Sequence, residues 1–363
     1  MLNTAPQVPR IVAEKRRPRR PEFFMERTMH QITAIFEDGL TLRFPCRPAE
    51  VVYQAARRAR IDLSHDCLEG ACGECKAFCS AGNFSIDDYS DEALSDEERK
   101  QGHALLCKMQ ASSDCVIELP YPSHFLGMAE QDVQTAELLA LDQVSSTVVR
   151  TRWRLPEGGA SFLPGQYAQI EVPGGTEPRA YSYANAPGSE TLEFYHKLLP
   201  DGLMSQYLLT RAAVGDVARM HPPAGHFYLR PVSSPLLMVA GGTGLAPMLS
   251  MLRVLAAAPT PTLTPVTLLL GVNQADEFFA EAELQALCDA LPMQVHRVAV
   301  SDQDWGGPRG FATDLIDGEL VQGVGAAYLC GPPPMIEAGS EKLLSLGMSR
   351  SAIHSEKFLP SVV

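Results

Sequence analysis

The chain has 363 residues, 45% of them hydrophobic and 20% charged, a balance that excludes wholesale disorder and fibrous repetition. That length exceeds what one hydrophobic core usually serves, so two or three domains are expected. A formal charge of −13 argues against nucleic acid as the main partner, because phosphate binding needs a surplus of Lys and Arg.

Residues 1–29 hold seven basic side chains against three acidic ones and lack periodicity, which reads as a flexible basic extension. From His30, the stretch QITAIFEDGLTLRF alternates polar and apolar residues around Glu37-Asp38-Gly39, predicting a hairpin. A short amphipathic helix follows over 49–59, then a cysteine-rich loop, then a closing strand over 115–122. Together, residues 30–123 form a first domain, and 124–140 reads as a linker ending in a helical turn. Over 141–232, Gly and Pro punctuate short alternating runs (TVVRTRWRL, YAQIEV, TLEFYHKLL), the signature of a small antiparallel β-barrel. Over 233–363, apolar runs such as PLLMVAGG and PVTLLLGV alternate with amphipathic helical stretches, predicting a doubly wound α/β domain. A 22-residue charge-free run, Val254 to Ala275, is broken by Pro259, Pro261 and Pro265 and is not expected to cross a membrane. No apolar stretch follows the basic run at 15–20, so no export signal is expected and the protein should be cytoplasmic.

Nine cysteines, an odd number without a recognisable signal peptide, make disulfides improbable. Cys67, Cys72 and Cys75 stand as C-x4-C-x2-C, with Cys107 after thirty-one intervening residues, the spacing of a plant-type 2Fe–2S cluster. Gly70 and Gly73 let the backbone wrap closely round such a cluster. Zinc is the competing reading, although structural zinc usually takes two close Cys pairs and only one C-x2-C is present. Cys79 is a possible substitute ligand, but its C-x3-C offset from Cys75 does not match the pattern.

The loop CLEGACGEC with Cys107, followed by two further domains, resembles the reductase components of bacterial ring-hydroxylating dioxygenases, in particular the benzoate and anthranilate types. The resemblance spans residues 30–363. It implies a β-grasp ferredoxin domain, a flavin-binding barrel and a nicotinamide-binding domain, with FAD preferred to FMN because of their order. Arg179-Ala180-Tyr181-Ser182, continuing to Asn185, matches the flavin motif of ferredoxin reductases: Arg179 for phosphate, Tyr181 to stack on the ring, Ser182 at the flavin N5. Gly202-Leu203-Met204-Ser205 lies where a helix N-terminus would hold the pyrophosphate. Gly242, Thr243 and Gly244 sit in the strand-to-helix turn GGTGLAP, a nicotinamide-side motif, and Cys330-Gly331-Pro332 occupies the corresponding position after a later strand. In the family that cysteine lies beside the nicotinamide C4. The terminal Glu356-Lys357-Phe358 resembles the family's ending, where an aromatic ring covers the flavin. Asp276, following a strand, would accept from a ribose 2′-hydroxyl and repel a 2′-phosphate, favouring NADH.

The implied function is an NADH-dependent reductase passing electrons through FAD and the 2Fe–2S cluster to a Rieske-type terminal oxygenase. The same modules in the same order also serve diiron monooxygenases, and a redox-sensing regulator is a further alternative for which no output element is visible. Segment 87–98 carries seven acids and no base, which is expected to attract a basic acceptor surface and to make transfer to it sensitive to salt.

Overall fold

The computed structural model describes residues 29–126, 133–155, 160–175, 177–258 and 264–359. Of the basic extension, only Met29 falls among them.

The expected hairpin is β1 (His30–Ile35) and β2 (Thr41–Cys46), with Gly39 at a φ of 84° in its turn. Next come α1 (Val52–Arg58), β3 (Lys76–Ala81), β4 (Phe84–Ile86), α2 (Asp96–Lys100), β5 (His103–Leu105), β6 (Met109–Ala111) and β7 (Cys115–Glu118). Five of these strands make a mixed sheet in the order β2-β1-β7-β3-β5, in which β1 and β7 run parallel. The face carrying Ile32, Ala34, Phe44 and Ile117 is buried, and α1 contributes Val52, Ala55 and Ala56 to the same core. Strand β7 stops at Glu118 rather than reaching 122, since Pro120 and Pro122 lack the N–H that a ladder needs.

The segment read as a linker is ordered differently. A 3-10 turn, Ser123–Phe125, stands at its start, residues 127–132 lie outside the described residues, and β8 begins at Gln134 and runs to Gln143. The helical turn expected near 140 is therefore strand. Ala136 and Leu138 are buried two residues apart while Gln134, Thr135 and Glu137 are not, a period-2 pattern that a short apolar run disguises until its partners are known. Those partners are β9 (Val148–Arg154) and β13 (Val217–Met220); with β10 (Tyr167–Glu171), β11 (Pro178–Ser182) and β12 (Thr191–Lys197) they form a six-stranded sheet ordered β11-β10-β13-β8-β9-β12. The registered pairings in it are antiparallel. Between β12 and β13 lies α3 (Leu203–Thr210).

The third unit follows the expected alternation: β14 (Leu236–Gly241), α4 (Leu245–Ala256), β15 (Val266–Val272), α5 (Glu281–Ala290), β16 (Met293–Ala299), α6 (Gly318–Val321), β17 (Ala326–Gly331), α7 (Pro333–Ser345) and β18 (Ile353–Lys357). The sheet is parallel and ordered β16-β15-β14-β17-β18, so the order reverses between β14 and β17, whose C-terminal ends flank a crevice. Two core clusters, one on each face, cover it. Among the described residues no helix is long and apolar enough to cross a membrane.

Arg253 of α4 joins the second and third units. It donates to Glu283 at 2.6 and 2.9 Å, to the buried Glu193 of β12 at 2.8 Å and to the Ala184 carbonyl at 2.8 Å. Removing the guanidinium leaves the buried Glu193 with the more distant Arg150, at 4.0 Å, as its cation, so Arg253→Met is expected to lower the stability of these units by about 3 kcal/mol. Urea denaturation followed by circular dichroism measures this, and an unchanged transition would mean that the two units do not depend on the ion pair.

Candidate active site

The loop between α1 and β3 carries Cys67, Cys72 and Cys75, and the turn between β5 and β6 brings Cys107 to it. Cys75 Sγ lies 3.3 Å from Cys107 Sγ, and Cys67 and Cys72 are hydrogen-bonded neighbours, each sulfur accepting the other residue's backbone N–H at 3.5 and 3.3 Å. Glu69 and Ala71 N–H groups also point at Cys67 Sγ from 3.4 Å. The Cys72 thiol and these amides, working against burial, pull the Cys67 thiol down to about 5. Left-handed φ angles at Leu68 (58°), Gly70 (78°) and Gly73 (78°) curl the backbone so that its amides face inward. Among the described residues no three Cys, His, Asp or Glu side chains converge on a single ion position. Two thiol pairs side by side fit two irons, two thiolates each, better than one tetrahedral zinc. Cys79 is elsewhere, on β3, with its thiol on the Ala81 carbonyl at 3.2 Å.

A continuous cleft of about 2430 Å³ runs from Cys67, Cys72 and Glu74 past β11 to the third unit. Arg179, Tyr181 and Ser182 line it, as do Gly202, Met204 and Ser205 at the start of α3. The Tyr181 ring stands edge-on to the buried His196, with centroids 4.3 Å apart, so its orientation is set from behind. Arg179 meets the nearby Glu177 at 3.1 Å and keeps its guanidinium at the cleft wall. The Ser205 hydroxyl accepts from Leu199 N at 2.8 Å, shaping the approach to α3, whose first N–H groups have no side-chain cap. Asn185 does not line the cleft: its amide bridges Glu193 N (2.9 Å) and the Ala186 carbonyl (3.0 Å). It holds the end of the motif rather than facing the cleft.

On the opposite wall stand Gly242, Thr243, Pro332, Glu356 and Phe358. Gly244 permits β14 and β17 to turn close together: a Cβ there would meet the Cys330 carbonyl oxygen at 2.1 Å. Gly242, at a φ of 54°, has nothing within 4 Å of its missing Cβ and leaves that wall open. Gly331 accepts the Phe358 N–H at 2.8 Å, which fixes the aromatic residue beside the turn. The Glu356 carboxyl accepts from Ser182 Oγ at 3.2 Å and lies 3.8 Å from the fully buried Cys330 Sγ. Burial, with the charge of Glu74 adding to it, pushes Glu356 up to about 8; burial and then Glu356 itself raise the Cys330 thiol well above its ordinary value. Three residues from three chain segments thus meet at one point, each neutral at neutral pH. Asp276 sits in the 3-10 turn after β15, yet its neighbour Glu277 and Asn273 are the polar residues of that region on the cleft wall.

Sequence reasoning assigned nothing to the junction between the first two units. Asp66, immediately before Cys67, accepts from the Tyr167 hydroxyl at 2.9 Å and from the Gln169 amide. Glu74, inside the cluster loop, has His226 hydrogen-bonded to its carbonyl at 3.0 Å. Tyr167 is the register partner of Ser182, so the cluster loop touches the strand next to the flavin motif. A carboxylate beside each of two cysteines of the C-x4-C-x2-C motif was the only available signal.

The cleft fits the groups that its walls imply: thiol pairs for a binuclear iron–sulfur centre, an aromatic and an arginine on β11 together with the start of α3 for a flavin nucleotide, a glycine-lined turn at a parallel-sheet switch point for a nicotinamide nucleotide. Family comparison agrees module by module, with a 2Fe–2S iron–sulfur cluster binding domain over residues 35–112, an oxidoreductase FAD-binding domain over 135–228 and an oxidoreductase NAD-binding domain over 238–341. The protein is an NAD(P)H-dependent oxidoreductase that uses FAD and a 2Fe–2S cluster. It is 37% identical to the 2-halobenzoate 1,2-dioxygenase electron transfer component of Burkholderia cepacia, across 92% of this chain and 99% of that one. The toluate 1,2-dioxygenase counterpart of Pseudomonas putida is 36% identical over the same shares. The chain belongs to this family of dioxygenase electron-transfer components. Methane monooxygenase component C of Methylosinus trichosporium is 38% identical, across 80% of this chain and 87% of that one. A ferredoxin reductase of carbazole 1,9a-dioxygenase shares the fold with a TM-score of 0.64 and 26% identity, across 92% of this chain and 99% of that one.

Replacing Cys107 with Ser is expected to weaken the visible iron–sulfur absorption and to abolish cytochrome c reduction while leaving flavin reduction by NADH in place. Cys79→Ser should leave both unchanged; iron analysis and anaerobic absorption spectra check the pair, and loss of the cluster in Cys79→Ser would refute the ligand assignment.

Proposed function

We propose that the protein draws electrons from NADH and delivers them singly to a Rieske-type aromatic-ring dioxygenase in the cytoplasm. The observation that carries this reading is the single cleft in which cluster thiols, the flavin motif and the nicotinamide turn are successive walls. When bound, FAD supplies the conversion between a two-electron donor and a one-electron cluster. A plant-type cluster near about −400 mV lies about 250 mV below a Rieske centre at about −150 mV, so the final transfer runs about 6 kcal/mol downhill.

The chain's own residues do the positioning. Ser182 Oγ, held by Glu356, presents a hydroxyl at the flavin wall, and the fully buried Cys330, which does not line the cleft, backs Glu356 from behind that wall with a neutral thiol. Glu356 holds a proton at neutral pH and gives it up only near pH 8. Phe358 and Pro332 line the wall beside this point on the nicotinamide side. Asp276, with Glu277 beside it on the wall, supplies the acidic turn that disfavours a 2′-phosphate.

The closeness of methane monooxygenase component C supports a second reading, in which the acceptor is a diiron monooxygenase hydroxylase. Reconstitution with purified Rieske dioxygenase and diiron hydroxylase separates the two: substrate turnover coupled to NADH is expected with the former only, and NADPH should serve at least tenfold less well at equal concentration. Ser182→Ala should slow flavin reduction by about 10²-fold without changing iron content. Because a raised carboxyl is protonated below its folded pKa, the rate of flavin reduction should show an inflection near pH 8 that Glu356→Gln abolishes. Stopped-flow profiles from pH 6 to 9.5 measure this, and an inflection that survives in Glu356→Gln would exclude the carboxyl as its source.

A further inference from the structure

The acidic segment 87–98, expected to face an external partner, ends in a residue that turns inward. Glu98 closes the N-terminal turn of α2 in a capping box, its carboxylate accepting from Ser95 N at 2.9 Å while the Ser95 hydroxyl accepts from Glu98 N. The same carboxylate meets Lys76 Nζ at 2.7 Å, and Lys76 directly follows the cluster ligand Cys75. It also meets Lys357 Nζ at 3.3 Å, across the boundary between the first and third units. Burial alone would raise this carboxyl, but Lys76, Ser95 N and Lys357 bring it to about 2, so it is a fixed anion at neutral pH.

Lys357 is the last residue of β18, in register with Gly331, and lies between Glu356 and Phe358. Its side chain is only 10% exposed, and its three donors find three acceptors: Glu98 Oε2 (3.3 Å), the Glu92 carbonyl (3.3 Å) and Glu337 Oε1 (2.9 Å). Two of the three belong to the ferredoxin unit. Among the described residues, strand β18 is the edge of its sheet and pairs only with β17, so no ladder there holds its outer side. Arg350, just before β18, makes a second contact of the same kind, with Gln101 at 2.6 Å.

We propose that Glu98 and Lys357 form a latch through which the ferredoxin unit positions the end of β18, keeping Glu356 on Ser182 and Phe358 against Gly331. Lys357 is a positioning residue, acting through its two neighbours rather than on the reacting atoms. One carboxylate thereby ties the residue after a cluster ligand to the residue after Glu356, and the nicotinamide wall is completed only when the ferredoxin unit is seated. The latch rests on the reading that NADH reduces a flavin in this cleft.

The test uses the full-length holoprotein with Glu98→Gln, Lys357→Gln, the Glu98→Gln/Lys357→Gln double variant and the conservative Lys357→Arg. Anaerobic stopped-flow against NADH concentration gives limiting rate and half-saturation separately; hydrogen exchange at the Phe358 amide, which is bonded to the Gly331 carbonyl, reports the strand directly, whether or not flavin is reduced. Each single Gln variant should raise half-saturation and amide exchange on the order of fivefold, with a smaller change in limiting rate. The double variant should be no worse than either single one, and Lys357→Arg should restore most of the loss. Unchanged exchange at Phe358 in Glu98→Gln, or single effects that simply add, would overturn the latch. Failure of wild-type flavin reduction would instead overturn the functional reading, leaving the exchange result to decide the latch.

Discussion

Asp66 stands one residue before the first cluster thiol, and its carboxyl is received by Tyr167 and Gln169 of β10. Because Tyr167 is paired with Ser182, this polar contact sets the cluster loop against the strand next to the one that carries the flavin motif. A buried polar group without a partner is costly, so the loop cannot leave β10 without stranding the buried Tyr167 hydroxyl. Short-range electron transfer needs this proximity, and the rest of the fold supplies the means to maintain it. The stack of Tyr121 on His226, at 5.4 Å, and the hydrogen bond from His226 to the Glu74 carbonyl close the same seam from the other side.

The seam is polar at its edge as well. Arg230 lies 3.7 Å over the Tyr228 ring and reaches Glu37 and the Pro120 carbonyl in the first unit. Contacts of this sort orient more than they stabilise, since exposed ion pairs contribute little and hydrogen bonds exchange readily with water. A junction built from them holds a geometry without locking it, as suits a unit that must also meet an external acceptor. Pairing of Glu98 with Lys76 and Lys357 removes that carboxylate from the outward acidic face, whereas Asp88 meets Lys108 at 3.2 Å with its own side chain exposed. The charge left for long-range attraction is smaller than the count of seven acids implies.

At the nicotinamide wall the governing constraint is steric. Gly244 sits where β17 crosses behind the turn, and the Cys330 carbonyl occupies the space any side chain would need. That close crossing brings Cys330 and Glu356, register partners on β17 and β18, within reach of Ser182 from another unit. Burial then holds both groups neutral, which lets a carboxyl, a thiol and a hydroxyl share one apolar corner.

Short-range features were legible in the sequence by itself. The C-x4-C-x2-C spacing, the strand-turn-helix context of GGTGLAP and the period-2 barrel runs all depend on residues a few positions apart, where backbone geometry leaves few solutions. Segment 134–140 was misread because a short apolar stretch satisfies both helix and strand periods until β9 and β13 are beside it. The roles of Asp66, Glu74 and Lys357 were invisible for a related reason: a lone charged residue carries no pattern, and its partners lie 101, 152 and 259 positions away. Only packing decides whether such a side chain is solvated or becomes the joint between two units, because the cost of burying a charge depends wholly on which opposite group the fold brings to meet it.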